Sequence, residues 1–448
     1  MRKNDDEKIN IPLSKFLMIG FLCFFAFHFF EKGKENKMSS QKDSTVVSVK
    51  EKPVKKISSD VKIPKMNFDD ICKTLQQNHP DFTQNCDTVK WQKSQIIRYF
   101  SIDTALQKKT LSLVKRSNPK YGAAIAVNPK TGQILAMVSY NDPELPKIAD
   151  NLCLSNKFPA ASIFKTITAE AVFETTNITC STQIYYVGEN TTLYKRQFLP
   201  EKFPENSNSA SFAEAYAKSI NPVFGWLAIH EIGRDNLYKS VQKFGYNTKI
   251  PFEMPTDISY FPETTISNTN DSINLAELGC GFNSETTLTP LLGGLIAATI
   301  SNGGVMMTPM IIDSVTDMSG KKLYSAAQKK WRISAAPDIS DSIKYIMRQT
   351  TKIGSARNAF SAIKDFSKQK DIIFGGKTGT KDSDLGRNEW FVGFAQDVEN
   401  DFSIATSICF VQKPMFILRP SQVSADMMLE YIRKTRKQIN ETKRQENG

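Results

Sequence analysis

The sequence YGAAIAVNPKTGQILAMVSY, residues 121–140, gives the clearest indication of the fold. Two apolar runs flank a short polar segment that contains Asn128, Pro129 and Gly132. Asparagine, proline and glycine are the residue types that tight turns require. The stretch therefore predicts a β-hairpin, and the Lys-Thr-Gly triplet at residues 130–132 is explained as part of its turn.

The segments that follow this hairpin predict a helical centre and a return to strands. Apolar residues recur at helical spacing over residues 160–173, 210–232 and 288–304. Strand-like apolar runs occupy residues 371–376, 390–395 and 402–411, and a basic helix is predicted from Ser421. This order predicts an α/β or α+β domain in which strands from both ends of the domain form one sheet, with helices packed on it.

The first 96 residues divide into segments of different composition. Residues 16–30, FLMIGFLCFFAFHFF, are almost wholly apolar and no A-x-A-like cleavage site follows them, which predicts an uncleaved signal anchor near the lower length limit for a membrane span. Residues 31–65 predict a flexible stalk, and residues 66–96 a small amphipathic cap region. Lysines and arginines lie on both sides of the anchor, so the charges alone do not orient residues 1–15.

The composition predicts a folded protein rather than a disordered or polytopic membrane protein. The chain has 448 residues, 40% of them hydrophobic and 23% charged, and a formal net charge of +12. It carries no zinc-finger spacing, no aromatic RNA-binding pattern and no GxxxxGK[ST] loop, so the positive charge does not indicate nucleic-acid binding. Cys72 and Cys86 can form a disulfide or remain free thiols, and the sequence leaves both open.

Histidine is too scarce to supply a Ser-His-Asp triad. His28 lies in the apolar segment and His79 in the cap region, which leaves His230 on an apolar helical stretch, where a structural role is expected. No cluster of residues has metal-site spacing, and no cofactor is predicted. A nucleophilic hydroxyl in this chain therefore needs a base other than histidine.

Ser162 and Lys165 meet this requirement within FPAASIFKTITAEA, residues 158–171. At positions i and i+3 of a helical turn the two side chains share one face, and apolar neighbours can lower the lysine pKa towards the working pH. The S-x-x-K pattern alone is not specific, because it also occurs at residues 112–115, 240–243 and 361–364. Other motifs have to distinguish between these sites.

Two further motifs follow in the order in which serine enzymes that act on β-lactams and D-Ala peptides carry them. The first is Ser219-Ile220-Asn221, which we prefer to the similar S-x-N triplet at residues 272–274 because the latter lies in a polar stretch. The second is K-T-G-T, formed by Lys377, Thr378, Gly379 and Thr380 after a strand-like run. Its glycine and the two glycines before it, Gly375 and Gly376, are expected to let the backbone approach a ligand closely.

With these motifs the chain resembles the penicillin-binding protein transpeptidase domain. The resemblance extends to YFSIDTALQKKTL, the hairpin, FAEAYAKSINPVFGWLAIHEIG, TLTPLLGGLIAATISNGG and EWFVGFA, and so covers residues 98–411. It implies an antiparallel sheet flanked by helices, plus a mostly helical subdomain, over residues 97–435, followed by a basic tail at 436–448. Ala161 departs from the glycine that many members carry before the serine.

The resemblance also implies a role for each motif residue. Ser162 would attack the carbonyl of a D-Ala-D-Ala stem peptide and Lys165 would accept its proton. Ser219 would relay a proton to the leaving amine, and Asn221 would contact the substrate amide. Lys377 would keep Lys165 neutral, and Thr378 and Thr380 would bind the terminal carboxylate. The backbone N–H groups of Ser162 and Thr380 would form the oxyanion hole.

The location and partners expected from this resemblance are those of a cell-wall enzyme. The anchor would hold the chain in the cytoplasmic membrane with the catalytic domain in the periplasm or on the outer face, and residues 31–97 leave no room for a glycosyltransferase domain. Peptidoglycan stem peptides would be the substrate and β-lactams covalent inhibitors. Proteins of the division or elongation machinery are candidate partners.

Two alternatives remain open at the level of sequence. A class D-like serine β-lactamase shares S-x-x-K and K-T-G, although the long helical stretch between Ser219 and Lys377 and the uncleaved anchor argue against it. A non-catalytic homologue that binds β-lactams as a sensor or scaffold is the other alternative. The short cytoplasmic segment carries no domain that would receive its signal.

Overall fold

A five-stranded antiparallel sheet forms the centre of the structure, a computed structural model that describes residues 64–204, 206–263, 269–363 and 371–446. Its strand order is β11-β12-β13-β3-β4, so the predicted sheet with strands from both ends of the domain is confirmed. The strands are β3 (Tyr121–Val127), β4 (Ile134–Asn141), β11 (Ile372–Ser383), β12 (Gly386–Asp397) and β13 (Phe402–Val411).

The predicted hairpin joins β3 and β4. The Asn128 N–H donates to the carbonyl oxygen of Gln133, and Gly132 has φ +79°, a backbone conformation that glycine adopts without a steric penalty. The Lys-Thr-Gly triplet at residues 130–132 therefore belongs to the turn, as predicted.

Helices cover both faces of this sheet. Ala123 and Ile125 of β3 face a core that includes helix α9 (Pro290–Ser301), while Ala124 and Ala126 face a second core with α2 (Thr104–Ser117) and α12 (Pro420–Glu446). Helix α9 is buried along its whole length, which explains its uniformly apolar sequence. A Cβ at Gly293 of α9 would lie 2.5 Å from Ser407 Oγ, so this glycine allows close packing on β13.

The middle of the chain forms the predicted helical part. Its helices, with one short strand pair β5 (Gln183–Tyr186) and β6 (Asn208–Ser211), are α3 (Lys165–Thr175), α4 (Lys195–Phe198), α5 (Phe212–Ala217), α6 (Asn221–Leu227), α7 (Gly233–Lys243), α8 (Thr269–Cys280), α10 (Pro337–Lys352) and α11 (Arg357–Ser361). A π-helical turn, Ala228–Ile232, connects α6 to α7. Helix α10 packs against α3, α5 and β11, and so links the helical part to the edge of the central sheet.

A second antiparallel sheet lies outside the central one. Its order is β1-β2-β8-β9, with β1 (Cys86–Trp91), β2 (Ser94–Phe100), β8 (Ile312–Asp317) and β9 (Lys322–Ser325), and helix α1 (Phe68–Gln77) precedes it. A further pair consists of β7 (Val305–Met307) and β10 (Lys330–Ile333). The segment predicted as an N-terminal cap thus shares a sheet with strands more than 200 residues later in the chain.

Two local predictions differ from the structure, which also decides between the two states that the sequence left open for Cys72 and Cys86. The helix predicted over residues 210–232 is broken at Lys218–Ile220, because Ser219 has φ +59°, and a new helix with Pro222 in its first turn begins at Asn221. The strand predicted over residues 371–376 continues to Ser383 and contains the K-T-G-T motif. Cys72 and Cys86 are free thiols, with Cys72 inside α1 and Cys86 at the first position of β1, so the disulfide is not formed.

The predicted anchor, residues 16–30, and almost all of the predicted stalk lie outside the described residues. Among the helices of residues 64–446 that the structure describes, none is long and apolar enough to cross a bilayer.

Candidate active site

A 3₁₀ turn, Ala161–Phe164, places Ser162 directly before helix α3. Side chains at i and i+3 eclipse in a 3₁₀ turn, which brings Lys165 over Ser162 more directly than the predicted α-helical turn would. The Lys165 Nζ donates to Ser162 Oγ at 2.8 Å. The sequence-predicted nucleophile and base are therefore in hydrogen-bond contact.

The amine of Lys165 is completely buried. Besides Ser162, it donates to Asn221 Oδ1 at 2.7 Å and to the Cys280 carbonyl oxygen at 2.8 Å, and it lies 5.6 Å from the centre of the Phe224 ring. Burial lowers the pKa of Lys165 to about 8, since the charged form loses its hydration. About a tenth of the lysine is then neutral at pH 7, the form that can accept a proton.

The S-I-N motif lies at the break between α5 and α6. Ser219 occupies the break with its positive φ, and Asn221 is the first residue of α6. Asn221 reaches Lys165 through Oδ1, and its Nδ2 donates to the Thr191 carbonyl oxygen at 3.0 Å. Among the described residues the contact to Lys165 is made by Asn221, and no hydrogen bond joins the Ser219 hydroxyl to Lys165.

The K-T-G-T motif lies on β11, the edge strand of the central sheet. Lys377 is fully buried, donates to the Thr378 carbonyl oxygen at 2.9 Å and lies 5.6 Å from the Tyr216 ring centre. Burial lowers its pKa well below the usual value, and the nearby Lys165 lowers it further. The Thr378 hydroxyl is hydrogen-bonded to the Ser355 hydroxyl at 2.5 Å, and Thr380 is exposed.

Gly379 brings this edge strand against the nucleophile turn, which is the 3₁₀ turn Ala161–Phe164 that carries the predicted nucleophile Ser162. A Cβ at this position would lie 3.2 Å from both Ala161 Cβ and Ile163 Cγ1, a tight contact. On another side of the turn, a Cβ at Gly281 would lie 2.1 Å from the Ala161 carbonyl oxygen. Gly379 and Gly281 thus let two backbones close on the same turn, and the S-I-N motif joins them through the contact of Asn221 with Lys165.

The two glycines before K-T-G-T have a different role from the one predicted. A Cβ at Gly375 would lie 2.6 Å from the Phe394 ring, and one at Gly376 would lie 2.3 Å from the Phe391 ring. Their free space is filled by aromatic rings from the neighbouring strand β12 and not by an approaching ligand. Gly379 alone of the three glycines faces the nucleophile turn.

His230 has the structural role that the sequence predicts. Its Nε2 is 2.8 Å from the Phe198 carbonyl oxygen and its ring stacks on Trp226 at a centroid distance of 5.2 Å. Within the described parts of the chain, no group of three or more His, Cys, Asp or Glu residues is arranged to hold a metal ion.

The Cys280 carbonyl oxygen and the Ser355 hydroxyl contact motif residues but were not among the predicted site groups. A backbone acceptor carries no residue-type signal, so the contact of Cys280 could not be read from the sequence. Ser355 lies 23 positions before Thr378 and outside any motif that the sequence offered.

The chain matches known proteins of one family. The sequence profile of the penicillin binding protein transpeptidase domain matches residues 122–413. The peptidoglycan D,D-transpeptidase PbpA of Mycobacterium tuberculosis is 26% identical over 304 residues, which are 62% of this chain and 59% of that protein. The chain thus spans about three fifths of the length of this curated relative.

Two crystal structures share the fold. The D,D-transpeptidase domain of a peptidoglycan glycosyltransferase from Eggerthella lenta superposes with a TM-score of 0.61 at 22% identity, over 75% of this chain and 83% of that one. Penicillin-binding protein A from M. tuberculosis, described as an imipenem acyl-enzyme complex, gives 0.57 at 22% identity over 74% and 80%. These similarities establish a mixed α/β transpeptidase fold.

Proposed function

Since the chain belongs to the penicillin-binding protein transpeptidase family, we propose that it is a membrane-anchored, monofunctional D,D-transpeptidase that cross-links peptidoglycan stem peptides through a serine acyl-enzyme. The observation that carries this proposal is the 2.8 Å contact between Ser162 Oγ and the buried amine of Lys165. The name of the M. tuberculosis relative and the acyl-enzyme described for a protein of the same fold support it.

Acylation begins at Ser162. Its Oγ attacks the carbonyl carbon of the penultimate D-Ala while the hydroxyl proton passes to the neutral amine of Lys165. The tetrahedral intermediate then collapses, the peptide C–N bond breaks, and Ser219 relays a proton to the leaving D-Ala amine. The product is an ester between Ser162 and the shortened stem peptide.

Deacylation completes the transfer. An amine of a neighbouring stem peptide attacks the ester carbonyl, the new amide forms, and Ser162 regains its proton. Water in place of the amine gives the carboxypeptidase product. A β-lactam is trapped at the first step, because its acyl-enzyme forms by ring opening and keeps the leaving group attached.

The remaining motif residues position the substrate. Asn221 orients Lys165 through Oδ1, and we place the substrate amide beside its Nδ2. Lys377, Thr378 and Thr380 bind the terminal carboxylate, which would stabilise the charged form of Lys377 and so help to keep Lys165 neutral.

The backbone N–H groups of Ser162 and Thr380 form the proposed oxyanion hole. The packing of Gly379 against Ala161 and Ile163 supports this assignment, because it holds the edge strand against the nucleophile turn. Each such donor contributes about 3 kcal/mol to transition-state stabilisation in comparable enzymes.

Labelling of the full-length protein by a fluorescent penicillin tests the proposal. Ser162→Ala should abolish covalent labelling, and Lys165→Ala should reduce its rate by at least about 100-fold, because the general base is lost. Ser112→Ala is the matched control, since Ser112 begins another S-x-x-K pattern and is exposed on α2. A wild-type protein that is not labelled, or labelling that survives Ser162→Ala, contradicts the proposal.

The lifetime of the labelled species separates the transpeptidase from the alternatives. Release of hydrolysed penicillin within seconds would indicate a β-lactamase, whereas a long-lived acyl-enzyme is expected here. A scaffold role would survive Ser162→Ala in a cell-based complementation assay, and a catalytic role would not.

For the location, we propose that residues 16–30 anchor the chain in the cytoplasmic membrane with the catalytic domain outside. The apolar run and the extracytoplasmic substrate support this orientation. Deletion of residues 2–30 should release the protein from washed membranes, and protease added outside spheroplasts should digest the intact protein. Protection from external protease contradicts the orientation.

A further inference from the structure

Lys381 directly follows the K-T-G-T motif and connects two segments beside the candidate active site. Its Nζ donates to the Phe282 carbonyl oxygen at 3.2 Å and lies 4.6 Å from the centre of the Phe282 ring. Lys381 is half-buried, and Phe282 is 39% exposed. This contact joins edge strand β11 to the segment that follows helix α8.

The contact lies on the same side of β11 as the nucleophile turn. Alternate residues of a strand share a face, so Lys377, Gly379 and Lys381 point to one side of β11. Gly379 faces Ala161, as does Gly281, the residue before Phe282. Lys381 is two residues beyond Gly379, about 7 Å further along the strand.

The ammonium of Lys381 retains binding capacity for an anion. Among the described residues no ion pair includes Lys381. Its charge does act electrostatically on Glu277: burial raises the pKa of this carboxyl group, and Lys381 partly offsets that rise. Asp382, the next residue, points to the opposite face of the strand. A lysine ammonium has three N–H donors, and the Phe282 carbonyl oxygen takes one of them.

We propose that Lys381 binds a carboxylate on the stem-peptide residue that precedes D-Ala-D-Ala. It thereby selects donor peptides in which this residue is a diamino dicarboxylic acid with a free side-chain carboxyl over peptides in which that carboxyl is amidated. The inference rests on the proposed function. With the terminal carboxylate near Thr378 and the attacked carbonyl at Ser162, the upstream part of an extended peptide runs past Thr380. One to two residues upstream correspond to about 3–7 Å, the offset of Lys381 from Gly379.

A competition experiment with the full-length protein in detergent tests this inference. Two synthetic pentapeptides ending in D-Ala-D-Ala, which differ only by a free or an amidated side-chain carboxyl on the third residue, compete with fluorescent penicillin for labelling. In the wild type, the carboxylate peptide should compete at about fivefold lower concentration, the upper end for a partly exposed ion pair. The preference should shrink at high salt.

Three variants complete the test. Lys381→Met should reduce the ratio between the two peptides to about one, and Lys381→Arg should retain a preference because it keeps the cation and its stacking on an aromatic ring. Lys239→Met, on the exposed side of α7, is the matched control and should behave as the wild type.

The inference is overturned if both peptides compete equally in the wild type, if neither competes, or if the preference persists in Lys381→Met. In each of these cases penicillin labelling still supports the proposed function. A wild type that penicillin does not label overturns the proposed function itself, and the inference with it.

Discussion

The rate of Ser162 acylation should depend on pH with a midpoint near 8, because the neutral amine of Lys165 is the proposed base. Burial lowers the pKa of this lysine to about 8. The neutral fraction is then about a hundredth at pH 6, about a tenth at pH 7 and nearly complete at pH 10. The rate should rise about tenfold for each pH unit below the midpoint and reach a plateau above it.

Asn221→Leu should move this midpoint to lower pH. The substitution keeps the approximate volume but removes Oδ1, which accepts from Lys165 Nζ at 2.7 Å. A hydrogen bond to an ammonium is stronger than one to a neutral amine by about 1 kcal/mol. Its loss destabilises the charged form and lowers the pKa of Lys165 by about 0.7 units.

Stopped-flow measurement of acylation by a fluorescent penicillin, with the full-length protein between pH 6 and 10, gives both midpoints. Asn236→Leu on α7 is the control, since the Asn236 Nδ2 donates to the Ile232 carbonyl oxygen, and it should keep the wild-type midpoint. A wild-type rate that does not change with pH refutes the role of Lys165 as base. A midpoint that rises in Asn221→Leu refutes the assigned effect of the hydrogen bond.

Two further substitutions probe the packing behind the site and a buried carboxyl group outside it. Gly379→Ala should slow acylation about tenfold, because a Cβ 3.2 Å from Ala161 Cβ displaces the edge strand by a few tenths of an ångström, and an unchanged rate would contradict this reading. Burial raises the pKa of Glu253 from 4.5 to about 7. As the pH rises, the unfolded chain therefore loses this proton before the folded protein does. Relative to Glu253→Gln, the free energy of unfolding of the wild type should fall by about 3 kcal/mol between pH 4.5 and pH 7. Urea titrations at pH 5 and pH 8 measure this difference, and parallel pH dependence of the two proteins would count against it.

The central sheet could be predicted from the sequence because each of its strands contains an apolar run, with clear turn residues between two of them. Asn128 and Gly132 mark the turn of the first hairpin, and both have the expected roles. The order of motifs also separated Ser162 and Lys165 from the other S-x-x-K pairs. Geometry then showed what the order could not, namely that Asn221 contacts the lysine.

The break in the helix at the S-I-N motif is where periodicity misled the prediction. Apolar residues on both sides of the break keep helical spacing, so a pattern of burial alone gives one long helix. Pro222 carried the missing signal, since a proline lacks the N–H that a helix interior needs and is favoured in the first turn of a new helix. The break matters for the site, because it makes Asn221 the first residue of α6.

The position of Ser162 depends on backbone contacts that residue patterns do not reveal. Ala161 has φ +49°, a conformation that costs an alanine about 1 kcal/mol or more, so the surrounding structure has to hold it there. Gly281 and Gly379 give this conformation room, because a Cβ at Gly281 would lie 2.1 Å from the Ala161 carbonyl oxygen and one at Gly379 would lie 3.2 Å from Ala161 Cβ. The alanine that stands where many family members have glycine is thus tolerated, because Gly379 leaves room for its Cβ and Gly281 leaves room for its carbonyl group.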